Sequence, residues 1–201
     1  MQPTQPTRVA VLGTLAEFHR EPIPYDLGAL VDLVAGIRPD LLCLDMTPDA
    51  WRSRDFGGLP PEYREALLPL ARRTDIVVVP VAGSASAPEP SAPGWRGRAI
   101  ERARRLLARL QGSAPDAAAV NEGPRHHAAD VLYDLMARLA GGDVRHAWRA
   151  HARELAERVA AAAERDPGSR VLVVVNARHC HHVRRDLARR PDIRLVRFAE
   201  L

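Results

Sequence analysis

The run from Val171 to Val175 constrains the fold of this chain more than any other feature. Its five residues are all apolar, and four of them are valine, which favours β-strands. A strand with one face in water alternates apolar and polar residues, so an uninterrupted run indicates a strand buried on both faces. The run therefore predicts a strand inside a sheet that helices cover.

Two shorter apolar runs, 9–12 and 41–44, are predicted strands of the same kind. The segment between them begins at Asp26, a favourable N-cap, and carries apolar residues at helical spacing up to Gly36, the predicted C-cap. A strand, a helix and a strand in succession form a βαβ unit, whose two strands are parallel.

The remaining chain continues this alternation, which predicts a three-layer α/β fold with a mostly parallel sheet flanked by helices. We expect one domain over 1–201, with the core sheet in 7–82 and 168–201 and a helical insertion or cap in 84–166. Residues 83–94 are rich in Ser, Ala and Pro and are predicted to be a surface linker or flap. The further predicted strands are 76–79 and 193–198. The further predicted helices are 60–70, which Pro69 should kink or divide, 95–111, 125–140, 144–165 and 181–189.

Composition excludes several classes of function. Aromatic residues make up 4% of the chain, which argues against binding single-stranded nucleic acid by base stacking. All 29 basic side chains are arginine, so no lysine can form a Schiff base or bind phosphate. Nucleic acid is therefore an unlikely partner, although a stripe of four arginines on helix 95–111 leaves anion or RNA binding as an alternative to a solvated face. The stripe is Arg98, Arg102, Arg105 and Arg109.

The sequence predicts a cytoplasmic protein with no membrane partner. The two cysteines cannot build a disulfide framework, and no apolar run approaches the length of a membrane span. Residues 1–7 are short and polar, unlike a signal peptide.

Polar side chains gather where the predicted strands end. Glu17 and His19 follow the first strand, and Asp45 directly follows the second, with Arg52 further on. Because ligands of parallel sheets bind beyond the carboxyl ends of the strands, these groups are expected to converge on one site. The strand 171–175 is followed by Asn176, Arg178 and His179.

Imidazoles beside carboxylates suit Zn, Mn or Fe, and His19 and His179 are the candidate metal ligands. Such a metal would acidify a water for attack on a small ester or amide, with Glu17 as the general base. Without a metal, His19 or His179 would be the base and Asp45 would orient it. Arg52, Asn176 and Arg178 are the candidate substrate-binding residues.

Each of these residues also has a simpler interpretation. Asp45 could act only as a helix N-cap, and Cys180 is expected to be a small packing residue rather than a nucleophile. Six further histidines are interpreted as surface residues, namely His126, His127, His146, His151, His181 and His182.

Three blocks of this sequence resemble the TraB/PrgY, Tiki, ChaN and EreA-like superfamily. They are 9–14 with the histidine at His19, 42–45 with the acidic residue Asp45, and 171–179 with His179. The blocks match in order and spacing over most of the chain, but His19 follows Gly13 by six residues where the family motif has three. Asp45 also replaces the usual glutamate, and Asn176 stands in the place of a glycine.

The resemblance implies an α/β core with a site at these blocks. Members of the superfamily include proteins similar to metal-dependent proteases, macrolide esterases and haem-binding proteins. The resemblance therefore favours a hydrolase that acts on a small-molecule substrate. The alternative that it implies is a non-catalytic protein that binds haem or a metal ion.

Overall fold

The computed structural model describes residues 6–83 and 87–201, and these residues form a three-layer α/β fold as predicted. A sheet of parallel strands lies in the middle. The strands are β1 (Thr7–Thr14), β2 (Leu41–Leu44), β3 (Val77–Pro80), β4 (Arg170–Asn176) and β5 (Ile193–Leu195), arranged in the order β3-β2-β4-β1-β5.

Helices cover both faces of this sheet. In the described residues, three short helical segments are of other types. They are the 3₁₀-helices Ala16–Arg20 and Phe198–Glu200, and a π-helical turn at Glu62–Leu67. The α-helices are α1 (Leu27–Ile37), α2 (Pro48–Ser53), α3 (Leu68–Ala71), α4 (Gly94–Gly112), α5 (Ala117–Asn121), α6 (Gly123–Ala140), α7 (Gly142–Arg165) and α8 (Ala177–Leu187).

The central strand β4 packs on both faces, as its apolar run predicts. Val171, Val173 and Val175 pack among residues of α7 and α8. Leu172 and Val174 point to the opposite face, where α1, the π-helical turn and α3 supply the neighbours. Successive side chains of a strand alternate between faces, so each valine of this run contributes to one of two cores.

In the middle of the chain, α7 and the short helix α5 pack on the sheet, whereas α4 and α6 form a separate packing unit. Leu155 and Val159 of α7 are fully buried against the sheet. Helices α4 and α6 instead pack on each other around Ile100, Leu107 and Met136. No helix within the two described ranges is long and apolar enough to cross a membrane.

Several predicted boundaries are wrong for identifiable reasons. Gly36 is not a C-cap, because α1 continues to Ile37 and ends at Arg38 in the left-handed conformation. The last helix begins at Ala177 rather than at 181, because the Asn176 side chain caps it by accepting the Arg178 N–H at 3.2 Å. The final strand stops at Leu195.

The segment around Pro69 is divided in two. We expected a helix over 60–70 that Pro69 kinks or divides, and the second of these outcomes is the one found. The structure has the π-helical turn first, and Pro69 then lies in the first turn of α3. Proline is tolerated there because the first N–H groups of a helix have no intrahelical acceptor.

Candidate functional site

A cavity of about 260 Å³ lies beyond the carboxyl ends of β2 and β3, bordered by α7 and the start of α8. The structure brings the predicted residues Asp45 and His179 to this cavity and adds His151. Asp45 directly follows β2, His179 lies in the first turn of α8, and His151 comes from α7. The site therefore combines one carboxylate with two imidazoles.

Asp45 holds His151 through a direct hydrogen bond. The His151 Nε2 lies 2.9 Å from Asp45 Oδ2, and the two side chains are only 7% and 16% exposed. Because a carboxylate accepts hydrogen bonds, this contact places a proton on Nε2 of His151. Asp45 is not needed as a helix cap, since Thr47 caps α2 by accepting the Ala50 N–H at 3.1 Å.

His179 lies beside His151 and is almost completely buried, with 1% of its surface exposed. The two imidazole rings have centroids 4.9 Å apart. The Nε2 of His179 accepts a hydrogen bond from Arg178 Nε–H at 3.0 Å. Its Nδ1 has no hydrogen-bond partner in the part of the chain that the structure describes.

These contacts fix the protonation state of His179. Burial lowers its pKa well below the ordinary histidine value, and the positive charge of Arg178 lowers it further. The ring is therefore neutral near pH 7. Since Nε2 accepts from Arg178, the proton of the neutral ring is on Nδ1.

Arg178 and Trp148 join the site to the segment before α4. The guanidinium of Arg178 lies over the Trp148 ring at 5.3 Å and forms an ion pair with Glu89. The indole N–H of Trp148 donates to the Pro88 carbonyl at 2.8 Å. These contacts hold the C-terminal part of the predicted linker 83–94 beside the cavity, while 84–86 lie outside the described residues.

His19, predicted to share the site, has other partners. Its Nε2 accepts the Leu15 N–H at 2.9 Å and its Nδ1 donates to the Tyr25 carbonyl at 2.7 Å. Both ring nitrogens are thus used in holding the loop after β1. Burial also lowers the pKa of His19, so it serves as a neutral structural residue.

The other predicted site residues lie away from the cavity or have structural contacts. Glu17 is on the surface and pairs with Arg20 at 2.8 Å. Arg52 is exposed and pairs with Asp49. Asn176 caps α8, as described above. Of the predicted substrate-binding residues, only Arg178 borders the cavity.

The described residues do not fit a metal ion. No group of three or more His, Cys, Asp or Glu side chains in 6–83 and 87–201 could hold one. The predicted pair His19 and His179 lies at different places, because His19 is bonded into its own loop. Metal and haem binding stay predictions, and the chemistry proposed below does not use either.

His151 is the residue of the candidate site that the sequence interpretation missed. We interpreted it as solvated, and this was wrong, as it was for His126, which is also buried. The spacing of His151 from Trp148 and Leu155 places all three residues on one face of α7, and that face is buried. The helical period was therefore the signal that could have found it. His127 and His146 are exposed as predicted, and Cys180 is buried as expected for a packing residue.

No protein-family model, curated protein or solved structure matches the chain. The proposed function therefore depends on the geometry of this cavity.

The buried histidines predict how stability depends on pH. Burial lowers the pKa of His19 and His179 in the folded state, whereas both regain an ordinary pKa near 6.5 when the chain unfolds. Below that value the unfolded chain binds more protons, so the free energy of unfolding falls as pH falls. A histidine that stays neutral in the folded state over this range, as we expect of His179, contributes a loss of about 1.4 kcal/mol between about pH 7.5 and about pH 5.5, and His19 contributes in the same direction.

Glu62 opposes this trend. Its buried carboxyl has a raised pKa, so its contribution to stability falls as pH rises through that range. The carboxyl offsets part of the effect of the histidines, and we expect urea denaturation to show a net loss on the order of 1 kcal/mol in the free energy of unfolding. Glu62→Gln should make the loss larger. Equal stability at both pH values would contradict the neutral burial of these histidines.

Proposed function

We propose that this chain is a hydrolase of a small ester or amide, acting at Asp45, His151 and His179. The observation that carries the proposal is the Asp45–His151 hydrogen bond beside a buried, neutral His179 in one cavity. A carboxylate that holds an imidazole is the arrangement that general acid–base catalysis needs.

His151 is the proton carrier in this mechanism. A water attacks the substrate carbonyl carbon and transfers a proton to the His151 ring. The Asp45 carboxylate stabilises the imidazolium that forms, and their low exposure strengthens this interaction. The same proton then goes to the departing alcohol or amine as the carbon–oxygen or carbon–nitrogen bond breaks. Water and substrate are thereby converted into an acid and an alcohol or amine.

His179 stabilises the negative charge that develops on the carbonyl oxygen. Its Nδ1–H has no partner in the described residues and is shielded from solvent, so it donates to that oxygen once the ring turns toward the cavity. Arg178 keeps the Nε2 occupied, so the ring stays in the tautomer that presents the Nδ1 proton. A neutral imidazole donor of this kind polarises a carbonyl without being consumed as an acid.

The cavity limits the size of the substrate. Its volume of about 260 Å³ is at the small end of ligand sites, so only the reacting part of a small molecule fits inside. Leu59, Pro60 and Met46 form part of the wall, which favours an apolar acyl or alkyl group next to the reacting carbonyl.

A screen of chromogenic short-chain esters and anilides tests the proposal. We expect turnover by the unmodified protein and a loss of about 10²–10⁴-fold in His151→Ala. His146→Ala, an exposed histidine on the same helix, is the matched control and should keep full activity. No turnover of any ester or anilide, or equal activity in the two variants, would contradict the proposal.

Removal of metal is a second check. We expect activity to survive dialysis against EDTA, because no step of the mechanism uses a metal. Activity that disappears with EDTA and returns with added Zn²⁺ or Mn²⁺ would contradict the metal-free mechanism.

A further inference from the structure

A second cavity, of about 290 Å³, lies between α6, α7 and α8 on the far side of Trp148. We call it the arginine groove, after the five arginines that border it. Two aspartates also border it, so positive charge predominates. The arginines are Arg138, Arg145, Arg149, Arg178 and Arg185, and the aspartates are Asp130 and Asp134.

Two of these arginines have no counter-charge among the residues that the structure describes. Arg138 pairs with Asp134 at 2.5 Å, and Arg185 lies 3.6 Å from Asp186. Arg145 and Arg149, one helical turn apart on α7, make no ion pair and no side-chain hydrogen bond within the described ranges. Guanidinium groups in a concave site attract anions and can bind carboxylate or phosphate with two hydrogen bonds.

His182 adds an unused polar atom to the same groove. Its Nδ1 is buried and has no hydrogen-bond partner among the described residues. Buried nitrogen atoms without partners are rare because they lose the hydrogen bonds that water supplied. Because this atom is shielded from solvent, an oxygen of a bound anion accepts from it only when the imidazole turns toward the groove. The buried face of Trp148 forms part of the groove wall beside it.

Arg178 connects the arginine groove to the candidate site. Its side chain borders both cavities, and its guanidinium lies over the ring of Trp148, which lines the groove. In the structure Arg178 pairs with Glu89, whose carboxylate is 72% exposed. An anionic group could displace Glu89 at a low cost in free energy, because exposed ion pairs contribute little to stability.

We propose that the arginine groove binds an anionic group of the substrate, a phosphate or a carboxylate, while its ester or amide lies at His151 and His179. This inference rests on the proposed hydrolase function. It narrows the substrate class to small acyl compounds that carry a negative charge some distance from the scissile bond.

Binding of inorganic pyrophosphate and of citrate, measured by calorimetry at low salt, tests the groove. The first probe represents phosphate and the second carboxylate. We expect one of them to bind, and Arg145→Gln/Arg149→Gln to weaken that binding at least about tenfold. Arg102→Gln/Arg105→Gln on α4 removes the same charge from exposed residues elsewhere and should change the affinity by less than about twofold. No binding of either probe, or equal weakening in both double variants, would overturn the proposal.

Kinetics separate the failure of the groove from the failure of the hydrolase. Once a substrate is found, the Arg145/Arg149 double variant should raise KM for esters that carry a carboxylate or phosphate and leave KM for neutral esters unchanged. An unchanged KM for the charged esters in the double variant, or an equal rise in KM for both ester classes, would overturn the groove while keeping the hydrolase. Anion binding by a protein with no hydrolytic activity would instead reject the hydrolase and, with it, the assignment of the groove to a substrate.

Discussion

Replacing Asp45 with asparagine should lower kcat by about 10³-fold and leave KM nearly unchanged. Asparagine has the shape of aspartate but no charge, so it cannot stabilise the imidazolium that His151 becomes. Its amide can also donate to His151, which would place the ring in the wrong tautomer. Steady-state kinetics on the best ester or anilide from the screen measures the effect.

Asp49→Asn is the control for this substitution. Asp49 lies four residues further along, and its side chain is 85% exposed and paired with Arg52 rather than with a histidine. We expect its kcat to match that of the unmodified protein. An Asp45→Asn variant with unchanged kcat and a normal circular dichroism spectrum would reject the role of the carboxylate.

Gly13→Ala should destabilise the protein by about 3 kcal/mol or more. A Cβ at this position of β1 would lie 2.8 Å from Cys180 Sγ, 2.9 Å from Asn121 Oδ1 and 3.1 Å from Ala177 Cα. The Asn121 side chain also accepts the Gly13 N–H at 2.5 Å and donates to the Gly13 carbonyl at 3.2 Å. The new methyl group would force apart the contacts that seat α8 and α5 on the sheet.

Gly36→Ala is the same chemical change as Gly13→Ala but should stabilise the protein. Gly36 is exposed inside α1, and a Cβ there meets no atom within 4 Å. Alanine has a higher helix propensity than glycine, so the free energy of unfolding of this variant should rise by about 0.5–1 kcal/mol. Urea denaturation of both variants measures the pair. A Gly13→Ala protein as stable as the unmodified chain would show that α8 does not lie against β1 as described.

The layered fold was predictable because its three central strands each contain a short apolar run. In the runs 9–12, 41–44 and 171–175 every side chain faces one of two cores, so no polar residue interrupts them. Helix ends were less predictable, because they depend on single side-chain caps. Asn176 is an example, since its hydrogen bond to the Arg178 N–H starts α8 four residues before the expected position.

The candidate site was predictable only in part. Asp45 and His179 follow neighbouring strands β2 and β4, so the rule that ligands bind beyond strand ends places both correctly. His19 follows β1, and its chain turns toward Tyr25, where two backbone hydrogen bonds hold the ring. The sequence does not show which histidines satisfy backbone groups and which face a cavity.

His151 could not be placed by strand-end reasoning, because it lies in the middle of α7. Its partner Asp45 is more than one hundred residues away in the chain, and only the packing of α7 across the sheet brings them together. The buried face that His151 shares with Trp148 and Leu155 indicates burial, but burial alone does not predict a carboxylate partner.

The most direct test of the account is ¹⁵N NMR of the histidine side chains, with the signals of His151 and His179 assigned by single substitutions. We expect the His179 ring to be neutral at about pH 6, with its proton on Nδ1, because burial and Arg178 keep its pKa low. We also expect His151 to carry a proton on Nε2, bonded to Asp45. A His179 that titrates near 6.5, or that carries its proton on Nε2, would contradict the site proposed for this chain.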